Sequence, residues 1–440
     1  MSKSTLKLRP LLLSTGLVAV MASFGATPAN SAAFYIQEQS VSGLGTAFAG
    51  TGALGEDAST IFYNPAAMTE LKGPQVQLGV HMLKPSADMK DNGSTVTNAL
   101  GTNTTGPDDG GDPYDVEAIP NFYAAYPISE DNKLWLGFGV SAPFGLANDY
   151  GDDWFGRYDS ISSELKTIDF SPNLAWGVTD WLSIGGGLNI QYADAELVAA
   201  VASPLTVGGP TVATDGQTNL SGHDTTIGFN AGLLLKPMDG TNIGMHYRSG
   251  ISHDLEGRLI VTNPVDAGGA VTRIGGEAGL DLPDVATLSV AQHVTNKLQV
   301  LASLSHIGWE NFNSIPVELA TGTLTRTELD YDDTYAIAVG LRYKPSENWV
   351  LRAGYQFDET PTNDEHRTTS IPDGDRQWFA LGAGYQLNDK WGVDLGAVYV
   401  DVDEEEINLT EAYSATTSGT TTATTEGDVG IVSLSLKYNF

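Results

Sequence analysis

The chain of 440 residues contains no cysteine. That excludes a disulfide framework, thiolate metal sites and a cysteine nucleophile. Cations are scarce: 22 Lys and Arg stand against 54 Asp and Glu, for a formal charge of −32. Nucleic-acid binding needs clustered Lys and Arg to neutralise phosphates, so that class is excluded. Past the N-terminal 31 residues no run approaches 18 consecutive apolar residues, so no transmembrane helix is expected there. A β-barrel remains open, because its membrane signal hides in alternation. What is abundant fits that class: 50 Gly, 17 Tyr, 14 Phe and 8 Trp, with 41% apolar residues overall.

The first 31 residues read as a secretory signal peptide. Lys3, Lys7 and Arg9 form a cationic start, Leu11 to Ala22 a short apolar stretch, and Ala29-Asn30-Ser31 a small-residue cleavage site. Cleavage after Ala33 is the alternative.

From residue 74 the chain alternates with a period of two. Val76, Leu78, Val80 and Met82 oppose Gln75, Gln77, Gly79 and His81. This grammar, apolar on one face and polar or small on the other, returns with centres near 80, 123, 137, 170, 187, 230, 245, 289, 302, 339, 353, 381, 395 and 435. The count is an even fourteen. Short turns, such as Ser129-Glu130-Asp131-Asn132 and Pro237-Met238-Asp239-Gly240, alternate strictly with long connections near 85–117, 142–162, 193–223, 250–283, 307–332, 358–374 and 401–427. That segregation predicts an all-β fold: a 14-stranded antiparallel transmembrane barrel over 74–440, with short periplasmic turns and long external loops. Trp135, Trp181, Trp309, Trp349, Trp378 and Trp391 lie near strand ends and are expected in the interfacial girdles. The Thr-rich stretch 410–425 reads as a mobile loop. Val432, Leu434, Leu436, Tyr438 and Phe440 close the chain on an amphipathic strand.

Residues 32–73 do not alternate. Ser42-Gly43-Leu44-Gly45 and Asn64-Pro65-Ala66-Ala67 place small residues at close spacing. Short helices of that kind pack in a confined space, and the segment suits a plug inside the barrel.

No catalytic constellation stands out, and the chain does not read as an enzyme. Gly50-Thr51-Gly52-Ala53-Leu54-Gly55 mimics a dinucleotide fingerprint but follows no strand of a βαβ unit. His223-Asp224 and His253-Asp254 are sequence neighbours, whereas metal or triad sites need converging elements. No cofactor or metal is expected. The acidic run Asp401, Asp403, Glu404, Glu405 and Glu406 reads as a solvated external loop, with divalent-cation bridges to lipopolysaccharide as the sharper reading.

The motifs resemble those of the FadL family of outer-membrane transporters for long-chain fatty acids and hydrocarbons. The resemblance rests on Ala32-Ala33-Phe34-Tyr35-Ile36-Gln37-Glu38, Ser42-Gly43-Leu44-Gly45, Asn64-Pro65-Ala66, Ala142-Pro143-Phe144-Gly145 and Ile371-Pro372-Asp373-Gly374-Asp375-Arg376. It implies a Gram-negative outer-membrane barrel, acting as a monomer, with an N-terminal hatch. Phe34 would line the ligand pocket, and Asn64, Pro65 and Ala66 would lie at a lateral opening. A third-strand kink would fall around Ser141, Ala142 and Pro143. Assembly machinery would read the terminal strand at Phe440. Lipopolysaccharide surrounds such a barrel and blocks direct partitioning, so the substrate would diffuse in through the protein and exit sideways. Fatty-acid carriers of the family are expected to offer cations just after the fifth strand, where this chain has Asp194 and Glu196. Those acids would repel a carboxylate and favour neutral alkanes or aromatics. Arg157, Lys166 and Arg248 are the cations that could answer them. A porin for polar solutes is the competing reading, and it would need an open lumen.

Overall fold

The computed structural model describes residues 33–106 and 108–440; the proposed signal peptide and Ala32 lie outside the described residues. Fourteen strands form one closed antiparallel barrel. They are β1 Gln75–Asp91, β2 Glu117–Pro127, β3 Leu134–Ser141, β4 Ser162–Gly177, β5 Leu182–Val201, β6 Gly216–Met238, β7 in two pieces (Thr241–Arg248 and Ile251–Thr262) and β8 in two (Val271–Leu282 and Val285–His293). The circuit continues through β9 Leu298–Ile307, β10 Thr334–Tyr343, β11 Trp349–Asp358, β12 Arg376–Gln386, β13 Trp391–Ala412 and β14 Ser418–Asn439. The seam between β14 and β1 is laddered from Gln75↔Asn439 to Asp91↔Ala423.

The period of two sorts the side chains. Leu136, Leu174, Leu288, Val339, Leu381, Leu434 and their like project outwards and are exposed, forming the lipid-facing band. Trp181, Trp349, Tyr385, Trp391 and Tyr438 belong to a rim at the short-turn end, and Phe170, Phe229, Tyr335, Phe379 and Tyr399 lie towards the other. Trp135, Trp309 and Trp378 are not in these girdles: each is at most 1% exposed. Strand parity turns Trp135 and Trp378 inwards, and Trp309 sits in a loop folded into the lumen.

Three of the long connections are mostly strand. β5 and β6 leave only 202–215 between them, β7 and β8 only 263–270, and β13 and β14 only 413–417. The Thr-rich stretch forms the tip of the β13–β14 hairpin, with Leu409↔Thr421 and Ile407↔Ala423 in register. Threonine is β-branched and suits a pleated strand, so its polarity misled the loop reading. These strands carry the wall well past the apolar band. A hairpin, Thr95–Asn98 with Gly101–Thr104, adds to the same wall beside β14.

Residues 33–71 are mostly buried against the wall. Short helical turns at Val41–Leu44, Thr51–Ala53, Thr60–Tyr63 and Pro65–Glu70 touch the inner faces of β3 to β8 and β12 to β14. Glycine on the wall makes this approach possible. A Cβ at Gly244 would collide with the carbonyl of Gly52, and one at Gly354 with that of Thr46. Charge completes the attachment. Glu56 pairs with Arg342 (3.0 Å) and with Arg352, which also meets Asp394 at 3.0 Å. Lys437 bridges Asp394 and Asp57. Burial works to raise the Glu56 carboxyl, but Arg342, Arg352 and Lys437 overcome it and hold the group well below the usual carboxylate range.

Candidate functional site

The third strand breaks where proline removes a donor. β3 is laddered to β2 only as far as Val140↔Phe122, and to β4 as far as Ser141↔Asp169. Ala142, Pro143 and Phe144 then turn inwards, and the chain rejoins β4 as Gly145–Asp149. Glu117 to Asn121 of β2 are consequently paired only with β1. Pro120 lies in that free edge, where a missing N–H does least harm.

The freed backbone groups of the break are satisfied from two sides. The Gln39 side chain donates to the Ala142 carbonyl (2.8 Å) and accepts from the Ala142 N–H (3.2 Å). The Thr167 hydroxyl accepts from the Phe144 N–H (2.9 Å) and donates to its carbonyl (2.7 Å). The N-terminal strand docks beside them. Ile36 N–H donates to Pro143 (2.8 Å) and Gly145 N–H to Phe34 (2.9 Å), with Tyr35 opposite Phe144. At its start the Ala33 N–H donates to Asp373, 2.7 Å away.

Phe34 is thus held between two inward turns. Phe144 approaches from one, and Trp309 and Phe312 from the other, edge-on with ring centroids at 4.8 and 5.0 Å. Above Phe34 opens a cavity of about 380 Å³, lined by Leu146, Leu165, Leu220, Leu255, Leu280, Phe312 and Ile371 among others. Its walls are the inward faces of the tall strands and the loops 142–161, 308–333 and 359–375.

Asp194 and Glu196 do not line this cavity; Ala195 and Leu197 do. β5 continues to Val201, and parity sends the two acids to the opposite face, where both are exposed. The repulsive role expected for them therefore falls. The expected cations are also committed elsewhere. Arg157 is buried and tied to Asp215 (3.1 Å) and the Tyr158 hydroxyl (2.8 Å), clasping the loops together. Lys166 pairs with Glu164. Arg248 binds Asp169 at 2.6 Å and stands over the Phe62 ring. Among the described residues, Arg258 is the one Lys or Arg on the cavity lining; it is exposed and alternates with Gly257 and Leu259, which face inwards.

Asn64, Pro65 and Ala66 stand elsewhere. Asn64 donates to Gly52 (2.6 Å) and Leu233 (3.1 Å) and caps the Pro65–Glu70 turn through the Ala66 N–H. Ala66 abuts Gly185 of β5. Phe34 and the Ser141–Pro143 break are brought together; Asn64–Ala66 rests against β5 and β6, and the Pro65–Glu70 turn that it opens also packs against β3 and β4. Gln39, Thr167, Trp309 and Phe312 were missed by the motif reading. Their one local signal is Trp309 and Phe312 in a connection that otherwise reads as polar.

Glu38 is fully buried, and both its carboxylate oxygens lack a hydrogen-bond partner among the described residues. Burial pushes this group up to about 8, opposed by Arg376 and assisted by Asp358.

Comparison with known proteins agrees with this architecture. Residues 22–440 match the family model described as outer membrane protein transport protein (OMPP1/FadL/TodX). The chain is 28% identical over 420 residues to a long-chain fatty acid transport protein of Salmonella typhi, covering 90% of this chain and 94% of that one. It is also 28% identical over 463 residues to outer membrane protein P1 of Haemophilus influenzae, covering 96% and 98%. Among solved structures it is similar to a Pseudomonas aeruginosa FadL homologue, with a TM-score of 0.83, 26% identity and 93% and 100% coverage. The toluene transporter TodX of Pseudomonas putida shares the fold, with a TM-score of 0.68, 16% identity and 93% and 100% coverage. A closed fourteen-strand barrel, a lumen occupied by its own N-terminal segment and a family match over nearly the whole length agree: the chain belongs to the OMPP1/FadL/TodX family of outer-membrane transport proteins.

Proposed function

We propose that this barrel carries long-chain fatty acids or related hydrophobic compounds across the outer membrane by facilitated diffusion with a lateral exit. One observation carries the reading. The cavity beside Phe34 and the break in β3 share a single N-terminal strand, so a ligand that displaces Phe34 also loosens the segment lying against Ala142–Phe144. An acyl chain gains about 0.8 kcal/mol per CH₂ on leaving water, which suits an apolar relay and not a wet pore. In this reading residues 32–73 act as the hatch and the wall between β2 and β3 is the exit. Asn64-Pro65-Ala66, at the start of a turn packed against β3 to β6, holds the hatch on the side of the barrel that carries the opening. Neutral alkanes or aromatics are the second reading, favoured by a cavity whose nearby cations are already paired. The relatives' printed names, a long-chain fatty acid transport protein and a toluene transporter, support both classes. A polar-solute porin fits less well, since the segment occupies the lumen.

A ladder that closes within one chain supports a barrel acting alone. The tall strands would stand among lipopolysaccharide, and the exposed terminal Phe440 is offered to the assembly machinery. The test is uptake of labelled oleate by a Gram-negative host lacking its own fatty-acid barrel, once heat-shifted gel mobility has established a folded protein. Uptake above the vector control is expected. Absence of uptake for oleate and for labelled alkanes and toluene alike would sink the reading.

A further inference from the structure

A second, polar cavity lies on the periplasmic side of the first. Phe34 lines the upper one and its neighbour Tyr35 the lower. Val285 and Ile307 border the lower cavity and belong to the same apolar cluster as Phe34, Trp309 and Phe312. β7 climbs from Thr241 to Thr262, so His246 and Arg248 on the lower wall sit beneath Leu255 and Leu259 on the upper. The lower space is about 40 Å³, enough for a head group and not for a chain.

Its lining is rich in hydrogen-bonding groups. His246 is 8% exposed, and its Nε2 has no partner among the described residues. Arg248 is 3% exposed and spends Nη1 on Asp169 at 2.6 Å. Asp169 is itself held by Asn189 (2.9 Å) and Gln191 (2.8 Å). A guanidinium has five N–H donors in a fixed fork; the Asp169 contact uses one, and the face of the group lies on the Phe62 ring, so its edge can still meet a head group. Ser303, Thr287 and Gln356 complete the ring. A buried polar atom left without a partner costs free energy, and natural proteins rarely leave one without reason.

We propose that this lower cavity is the head-group subsite: the chain of the transported molecule lies in the apolar cavity above Phe34, and its carboxyl or hydroxyl end reaches His246 and Arg248 below Tyr35. The inference rests on the transport reading above. A neutral imidazole nitrogen serves either way, donating to a carboxylate or accepting from a protonated acid or an alcohol. Phe34 and Tyr35 form the partition between the two spaces, so a bound molecule must move them, and the head is seated only once the N-terminal strand has shifted.

The test uses full-length barrel in lipid nanodiscs and two labelled probes of equal chain length, oleate and 1-octadecene. His246→Phe fills the cavity and removes the nitrogen, His246→Gln keeps a polar group there, and Thr287→Val removes a hydroxyl from the adjoining strand, directly across the ladder from His246. Heat-shifted mobility checks folding of each. His246→Phe is expected to lower the ratio of oleate to octadecene affinity about tenfold, the size of one lost hydrogen bond to a charged group. Thr287→Val should lower it less, and His246→Gln should restore most of it. An unchanged ratio in folded His246→Phe and Thr287→Val would overturn the subsite while leaving transport intact. Wild-type protein that binds neither probe would overturn the transport reading and the subsite together.

Discussion

At the scale of single residues, Gln39 does what a neighbouring strand would otherwise do. Its amide supplies both an acceptor and a donor to Ala142. Gln39→Ala leaves that backbone N–H and C=O unpaired in a buried place, at a cost of about 1–3 kcal/mol. The expected outcome is a looser break, read as faster hydrogen exchange at Ala142 and Phe144 in a barrel that still shows heat-shifted mobility. Glu38 makes a pH-dependent prediction. Its carboxyl is raised when seated, from 4.5 to about 8, so the seated state holds its proton more tightly than the released one. Seating is then strongest below about 4.5 and weakens as pH rises through 8. Glu38→Gln should flatten the pH dependence of N-terminal exchange between those limits; a slope of the same size in the variant would contradict the assignment. Residue-level legibility in the sequence was uneven. Phe34 was readable because it sits in a family motif. Asp194 and Glu196 were misjudged by a matter of parity: knowing that β5 runs on to Val201 is what turns them away from the cavity. Gln39 carries no local sign, because its partner is more than a hundred positions away.

At the scale of elements, strand centres were legible and strand ends were not. Alternation of apolar and polar residues identifies a strand only where one face meets lipid. Above the membrane both faces of β5, β6, β13 and β14 meet water or protein, the contrast fades, and Thr-rich or Ala-rich strand reads as loop. The indole rings divide in the same way: Trp181, Trp349 and Trp391 reach the interface, while Trp135 and Trp378 fall on the inner face. The N-terminal segment depends on glycine in the wall. Gly354→Val should push the Thr46 turn away from β11, since no rotamer relieves a clash between a Cβ and a backbone carbonyl. Such a variant is expected to conduct ions in planar bilayers where the wild type is closed, and deletion of 33–73 should give a larger, steady conductance. A deletion variant as silent as the wild type would mean that the segment does not block the lumen.

At the scale of the whole molecule, the fold was legible from counting alone. An even number of strands and the strict alternation of short and long connections leave few other architectures. The interior was not, because its contacts link residues far apart in the chain. The buried charges show this best. Glu56 and Asp57 belong to the segment, whereas Arg342, Arg352, Asp394 and Lys437 come from four different strands. Removing Arg352 leaves Glu56 and Asp394 short of a partner, and loss of one member of a buried ion pair typically costs about 3–5 kcal/mol. Arg352→Met is therefore expected to lower the temperature at which the folded band converts on a gel, by more than Arg258→Met on the exposed wall.

The seam has a consequence beyond closure. β1 follows directly from the N-terminal segment, and its partner β14 is the last strand of the chain. Lys437 on the final strand meets Asp57 of the segment, so the edge that closes the barrel also carries part of the segment's attachment. The seam is thus at once a joint in the wall and a mooring for what the wall encloses.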